Sequence, residues 1–188
     1  MHRAQSQPRK YEEFAFVLDF NSRGKSSTVR GRDGIIIIAI GEDRLTLLEI
    51  LGIPNSTFEV GEKIFIGKEG RTKISSVLGK MDYNKISSSA QSELETVVEK
   101  IVTLNESRFV EYLNNAQPLT PRIHALELIP GIGKTYMKTM LEERDQKKFE
   151  SYEDLQERVG FKEPIKHISE RIVDEITGQS RMNLFVKR

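Results

Sequence analysis

The stretch richest in possible chemistry runs from Leu126 to Arg144, LELIPGIGKTYMKTMLEER. An apolar run meets Pro130, Gly131, Ile132 and Gly133, then restarts as Lys134, Thr135, Tyr136 and Met137, with Met140 and Leu141 at helical spacing. Two helices are expected to meet across that short turn. Pro130 ends the first helix by lacking an N–H, and the glycines let the backbone turn without Cβ clashes. Backbone N–H groups are then left bare at the start of the second helix, where the positive end of the helix dipole favours an anion. The chemistry on offer is phosphate binding by main chain. Lys134 adds a charge and Thr135 a hydroxyl, neither placed to read a base, and Lys138 is counted to the same surface.

The segment Leu128-Ile129-Pro130-Gly131-Ile132-Gly133 resembles the helix-hairpin-helix motif of many DNA- and RNA-binding proteins. The resemblance implies that Gly131, Ile132, Gly133, Lys134 and Thr135 hold a sugar-phosphate backbone without sequence preference. Met137 stands where that motif usually has a small residue, which implies a wider spacing of the two helices. A turn that only packs is the plainer alternative, although two glycines bracketing one apolar residue exceed what a turn requires. Gly133-Lys134-Thr135 also looks like the end of a nucleotide P-loop, but Leu128 stands where that loop needs its first glycine. Base-excision glycosylases carry the same hairpin with a catalytic aspartate downstream. Here Tyr152 occupies the matching distance from Lys134, and Asp154 lies two positions late. Such enzymes also enclose the flipped base in a large helical domain, and this chain has a strand-rich part in its place.

The 188 residues, 37% hydrophobic and 30% charged, suit a soluble protein of one or two domains. There is no cysteine, which excludes disulfides, thiolate zinc sites and iron–sulfur clusters. Only His2, His124 and His167 are present, at no metal-binding spacing, so neither metal nor cofactor is expected. No apolar run approaches membrane length, and MHRAQSQPRK lacks the apolar centre of a signal peptide, so a cytoplasmic protein away from membranes is expected. The formal net charge is only +1, and any nucleic-acid surface must arise from local segregation of charge. Residues 1–86 hold 14 basic against 11 acidic side chains, whereas residues 87–115 hold 2 against 5.

The fold class expected is α+β, with residues 1–10 a flexible N-terminus and residues 11–86 a small five-stranded β-barrel. Phe14, Phe16, Leu18 and Phe20 alternate with smaller residues, which places most of these aromatics in a core. Gly34 to Ile40 is a β-branched run, and three further strands are expected at 44–50, 63–66 and 71–78. The count and order resemble an OB-fold or S1-like barrel, with an SH3-like barrel the alternative. Between the first two strands, Asn21 to Asp33 is expected as an open loop whose Arg23, Lys25, Arg30 and Arg32 track a phosphate backbone.

Residues 87–117 form a connecting helical segment. Ser88 and Gln91 have the spacing of a capping box, Leu94, Val97, Val98, Ile101, Val102 and Leu104 make an apolar stripe, and Asn105-Glu106-Ser107 is a break. Residues 118–178 complete an all-α tandem helix-hairpin-helix domain. Its second copy has Ser151 as a cap, Gly160 to Pro164 as the turn, and a closing helix through Ile176. Lys162 replaces the second hairpin glycine, so this copy is expected to contribute Lys162 and Lys166 as side-chain cations, with His167 a surface or packed histidine rather than a ligand. In the tail, residues 179–188, the spacing of Gln179, Met182 and Phe185 resembles a sliding-clamp peptide, against the simpler expectation of a strand packed on the body.

The whole arrangement resembles an uncharacterised archaeal family, domain of unknown function 655. That resemblance implies a fold and a class, nucleic-acid binding, rather than a task. The expected function is non-catalytic, largely sequence-independent binding of the phosphate backbone of DNA or RNA. A protein-interaction adaptor with a protein partner in replication, transcription or ribosome assembly, or a DNA-repair enzyme, are the alternatives.

Overall fold

The computed structural model describes residues 11–188, so the expectation for residues 1–10 lies outside the described residues. Those described divide into two compact units, residues 11–93 with 186–188 and residues 94–185. The class is α+β.

The first unit is built on five antiparallel strands, β1 (Phe14–Lys25), β2 (Asp33–Gly41), β3 (Leu47–Gly52), β4 (Lys63–Phe65) and β5 (Ile74–Lys80), ordered β4-β1-β2-β3-β5. The sheet curls into a half-barrel. β4 and β5 lie at its two edges and share no ladder among the described residues, so the closed barrel expected from strand count is not formed by hydrogen bonding. The three residues of β4 are too few to pair along two neighbours, and register shifts in the β3–β5 ladder bend the other edge.

Ala15, Val17, Ile37, Ala39, Leu48, Ile50, Phe58, Ile64, Ile66 and Ile74 form the core cluster. The expected parity of β1 is thereby corrected. Its small residues face the cluster, because the inside of a tightly curled sheet has little room, while Phe16 and Leu18 are buried as well. Of the three phenylalanines only Phe16 is buried; Phe14 is half-buried and Phe20 is 38% exposed. β1 also runs further than expected. Asn21, Gly24 and Lys25 pair with Ile36, Gly34 and Asp33, so Asn21–Lys25 belong to the strand and only residues 26–32 connect it to β2.

Helix α1 (Ser88–Leu104) starts one residue earlier than the expected capping box. Ser87 Oγ accepts from the Ala90 N–H at 3.1 Å and donates to Asp19 Oδ2 at 2.6 Å. Leu94, Val97, Val98, Ile101 and Val102 are buried as expected, but Leu104, the last helical residue, is 60% exposed. The chain breaks at Asn105, and α2 (Glu106–Asn115) buries Phe109, Val110 and Leu113.

In the second unit the expected first hairpin helix is a single 3-10 turn, Ala125–Leu128. The bridge of Pro118 with His124 keeps the chain extended up to the cap, and Pro130 turns the chain out of helix at Ile129, which leaves room for a single turn. His124 and Glu127 close a capping box around it, the imidazole accepting from the Leu126 N–H and the carboxylate from the His124 N–H. Helices α3 (Lys134–Gln146), α4 (Tyr152–Val159) and α5 (Pro164–Ile176) follow, α4 capped by Ser151 as expected.

The tail packs back on its own unit. Phe185 is buried, with ring centroids 5.6 Å from Phe109 and 4.6 Å from Tyr112, and its N–H donates to Glu175 Oε1 at 2.9 Å. Glu175 in turn pairs with the buried Arg171, which also donates to the Leu128 and Met182 carbonyls. A clamp peptide would need Phe185 free, and here its ring is held inside. Among the described residues no helix is long and apolar enough to cross a membrane.

Candidate nucleic-acid interface

The turn before α3 is built from one residue that must be glycine and one that need not be. Gly131 sits at φ +82, where side chains are strained. Gly133, the N-cap of α3, is extended at φ −80, ψ −178, and a Cβ there would meet nothing within 4 Å. Ile132 between them is 4% exposed, so its side chain belongs to the core and only its backbone can serve the surface. The first helical bond of α3 runs from the Met137 N–H to the Gly133 carbonyl at 3.0 Å. The N–H groups of Lys134, Thr135 and Tyr136 therefore have no acceptor among the described residues. Lys134, Thr135 and Lys138 are exposed, Lys138 lying 4.0 Å from Glu142 in a solvated pair.

This turn is backed by a residue from the other end of the unit. A Cβ on Gly131 would lie 2.8 Å from His167 Cε1, so the imidazole fills the space behind the turn. His167 stacks on Phe161 at 5.0 Å, and Phe161 meets Tyr136 edge-on at 5.6 Å. The ring closes a path from the first turn of α3, through the turn between α4 and α5, back to Gly131. Nδ1 of His167 is buried without a hydrogen bond, its nearest acid being Glu170 at 3.7 Å. Of the two expectations for this histidine, surface or packed, the structure has the packed one. That it packs against Gly131 left no trace in the sequence.

The second turn offers fewer donors. Gly160 is left-handed at φ +79, Phe161 is buried like Ile132, and Glu163 is the N-cap at φ +53. Pro164 at the first helical position removes one N–H, and the His167 N–H bonds the Glu163 carbonyl at 3.2 Å. Lys162 and Lys166 are exposed beside it.

In the first unit, residues 26–32 are no open loop. Glu49, in β3 and 2% exposed, reaches them from the sheet. Its carboxylate accepts from the hydroxyls of Ser26, Ser27 and Thr28 and from the N–H groups of Ser27 at 3.0 Å and Thr28 at 3.2 Å. Burial by itself would raise its pKa, but these bonds outweigh it and hold the carboxyl at about 2. With the inner side of the turn fixed, Arg23, Lys25, Arg30 and Arg32 stand exposed, and none has an ion pair among the described residues. Glu49 was missed from sequence, although a lone acid inside the run Leu47-Leu48-Glu49-Ile50 was a signal for it.

The positions suggested by glycosylases are occupied by structural bonds. Tyr152 donates to the Val102 carbonyl at 2.7 Å, while Asp154 accepts from the Glu150 N–H at 3.0 Å and from Arg158 at 3.1 Å. Among the described residues no three acids or histidines are grouped to hold a metal ion.

Residues 11–187 match the family model described as "Protein of unknown function (DUF655)", and the chain belongs to that family. It is similar to "Uncharacterized protein MJ0038" of Methanocaldococcus jannaschii, 40% identical over 184 residues, which are 97% of this chain and 83% of that protein. It is also similar to the crystal structure of Af1531 from Archaeoglobus fulgidus, with a TM-score of 0.81 and 34% identity over 94% of this chain and 100% of the other.

Proposed function

We propose that this protein is a non-catalytic, largely sequence-independent nucleic-acid binder. In this reading the turn at Pro130–Gly133 is a helix-hairpin-helix whose amides take a phosphate, the turn at Gly160–Pro164 is its weaker second copy, and the half-barrel is an OB-like platform for a second, basic contact. The observation that carries the reading is the exposed start of α3, where the N–H groups of Lys134, Thr135 and Tyr136 lack acceptors and Lys134 and Lys138 stand beside them. The four exposed cations of β1 and the turn after it support it, since none has an ion pair among the described residues to give up on meeting a phosphate chain.

The test is fluorescence anisotropy with duplex DNA, single-stranded DNA and structured RNA across a salt series, comparing wild type with Gly133→Glu. Gly131 is the wrong position for this substitution, because any side chain there meets His167. At Gly133 the space is open and a carboxylate at a helix N-terminus is tolerated, so the fold should persist while the acid repels phosphate. Affinity is expected to fall at least tenfold, a loss of about 1.4 kcal/mol or more, with the melting temperature unchanged. If wild type binds none of the three at low salt, the amide cradle is abandoned and a protein partner becomes the better reading.

A further inference from the structure

Resting on that reading, we infer that the nucleic acid is single-stranded, DNA or RNA, and that Phe20 and Tyr136 are the residues on which its bases stack. Three aromatic side chains are exposed among the described residues, Tyr11 at 61%, Phe20 at 38% and Tyr136 at 39%. Two of the three stand at the two surfaces assigned to phosphate. Each surface carries the feature independently of the other.

Phe20 lies on β1 opposite Ile37, and the same strand runs on through Arg23 and Lys25 into the pinned turn. At about 3.3 Å per strand residue, Arg23 is roughly 10 Å further along, within reach of the phosphates that flank a stacked base. The ring does not hang loose. It tilts over Phe58 at 6.4 Å, and Phe58 is itself 5% exposed with Lys73 Nζ 4.6 Å over its ring. Tyr136 is the third residue of α3, and its own N–H is one of the three without an acceptor. Its ring rests edge-on against the buried Phe161, and its hydroxyl lies 3.5 Å from the Gly160 carbonyl. In both places an exposed ring is held by a buried one, so its order is established before any ligand arrives.

Amides and cations alone are enough to grip a phosphate backbone, and an exposed aromatic adds nothing to that. A duplex hides its base faces in its own stack. A single strand presents them, and an aromatic ring beside its backbone then gains base stacking that is indifferent to sequence, in keeping with the unspecific contacts around it. The competing role for both residues is to seal the edge of a core.

The experiment measures affinity across a salt series for wild type, Phe20→Leu, Tyr136→Leu and the rescue variants Phe20→Tyr and Tyr136→Phe. The probes are a thymidine 20-mer, its uridine RNA counterpart, a duplex of the same length, and an abasic strand with the same phosphates. Leucine keeps apolar packing without a π-face, and thermal melts confirm that each variant is folded. Wild type is expected to prefer the single strands to the duplex and to the abasic strand. Each leucine variant should lose about 5- to 100-fold on single strands, the range that stacking of one base gives. The slope of log affinity on log salt should not change, the abasic strand should show no loss, and the aromatic variants should bind like wild type. Equal or tighter binding to duplex, unchanged single-strand affinity in the leucine variants, or an equal loss on the abasic strand overturns the inference. Persistence of salt-dependent binding in those cases leaves the backbone reading standing, whereas wild type binding no probe defeats both. The DNA and RNA arms show which strand is taken.

Discussion

At the scale of single residues, Glu49 shows how a buried acid can stay charged. Its native pKa of about 2 lies below the ordinary 4.5, so its ionised form is favoured by the fold. The stability this supplies is complete above about pH 4.5 and disappears as the pH falls toward 2, with a size on the order of 3 kcal/mol. Urea unfolding at pH 7, 4 and 3 should therefore show a declining midpoint in wild type. Glu49→Gln should be less stable at pH 7 by about 1–3 kcal/mol, since an amide offers one acceptor where five donors converge, and should lose less over the same pH range. Faster amide exchange across residues 26–32 in that variant is the local sign. An unchanged pH profile would mean that the hydroxyls of Ser26, Ser27 and Thr28 find solvent as readily as they find the carboxylate. Gly131 is the second residue whose identity is dictated, and for two reasons at once: a positive φ, and the His167 ring where a Cβ would be.

Elements in the second unit depend on side chains that close their ends, and Arg158 of α4 does this for α3. Its guanidinium donates to the Glu143 carbonyl at 2.7 Å, the Lys147 carbonyl at 2.6 Å and the Lys148 carbonyl at 3.3 Å, pairs with Asp154 and Glu143, and lies 4.7 Å from the Phe149 ring. The Lys147 and Lys148 carbonyls lie just past the end of α3, the Glu143 carbonyl also accepts from the Lys147 N–H at 3.0 Å, and a planar fork reaches all three where an ammonium cannot. Arg158→Lys is therefore expected to cost about 1.5–3 kcal/mol in denaturant unfolding, despite the conserved charge. A loss below about 0.5 kcal/mol would show that water serves those carbonyls equally well. Elements set by local periodicity were legible in the sequence: β2, the stripe of α1, the break at Asn105 and the Ser151 cap. Those decided by partners elsewhere were not. β1 is longer than its pattern because Asp33 to Ile36 pair with residues that resemble loop, and the helix expected before Pro130 is only one turn because a bridge between Pro118 and His124 holds the chain extended up to its cap.

For the molecule as a whole, the formal charge of +1 gives no long-range attraction to a polyanion, so binding strength has to come from a few local cations. The α+β class and the candidate surfaces were visible in the residue order, since glycine turns and clustered arginines are local signals. The contacts that prepare them, Glu49 with residues 26–28 and His167 with Gly131, join distant positions and follow only from the folded chain. Preparation by the fold has a measurable consequence. Cations at the end of β1 and in the turn after it should each neutralise one phosphate, so Lys25→Ala with Arg30→Ala should make the salt slope on single-stranded DNA shallower by about 1.4, at about 0.7 per phosphate. Stacking variants should leave that slope alone, which separates charge from base contact within one series of titrations. A slope unchanged by the double substitution would place these residues in solvent and leave the amide turn at Gly131–Tyr136 as the contact, whereas a shift near 1.4 would establish that Lys25 and Arg30 each neutralise a phosphate.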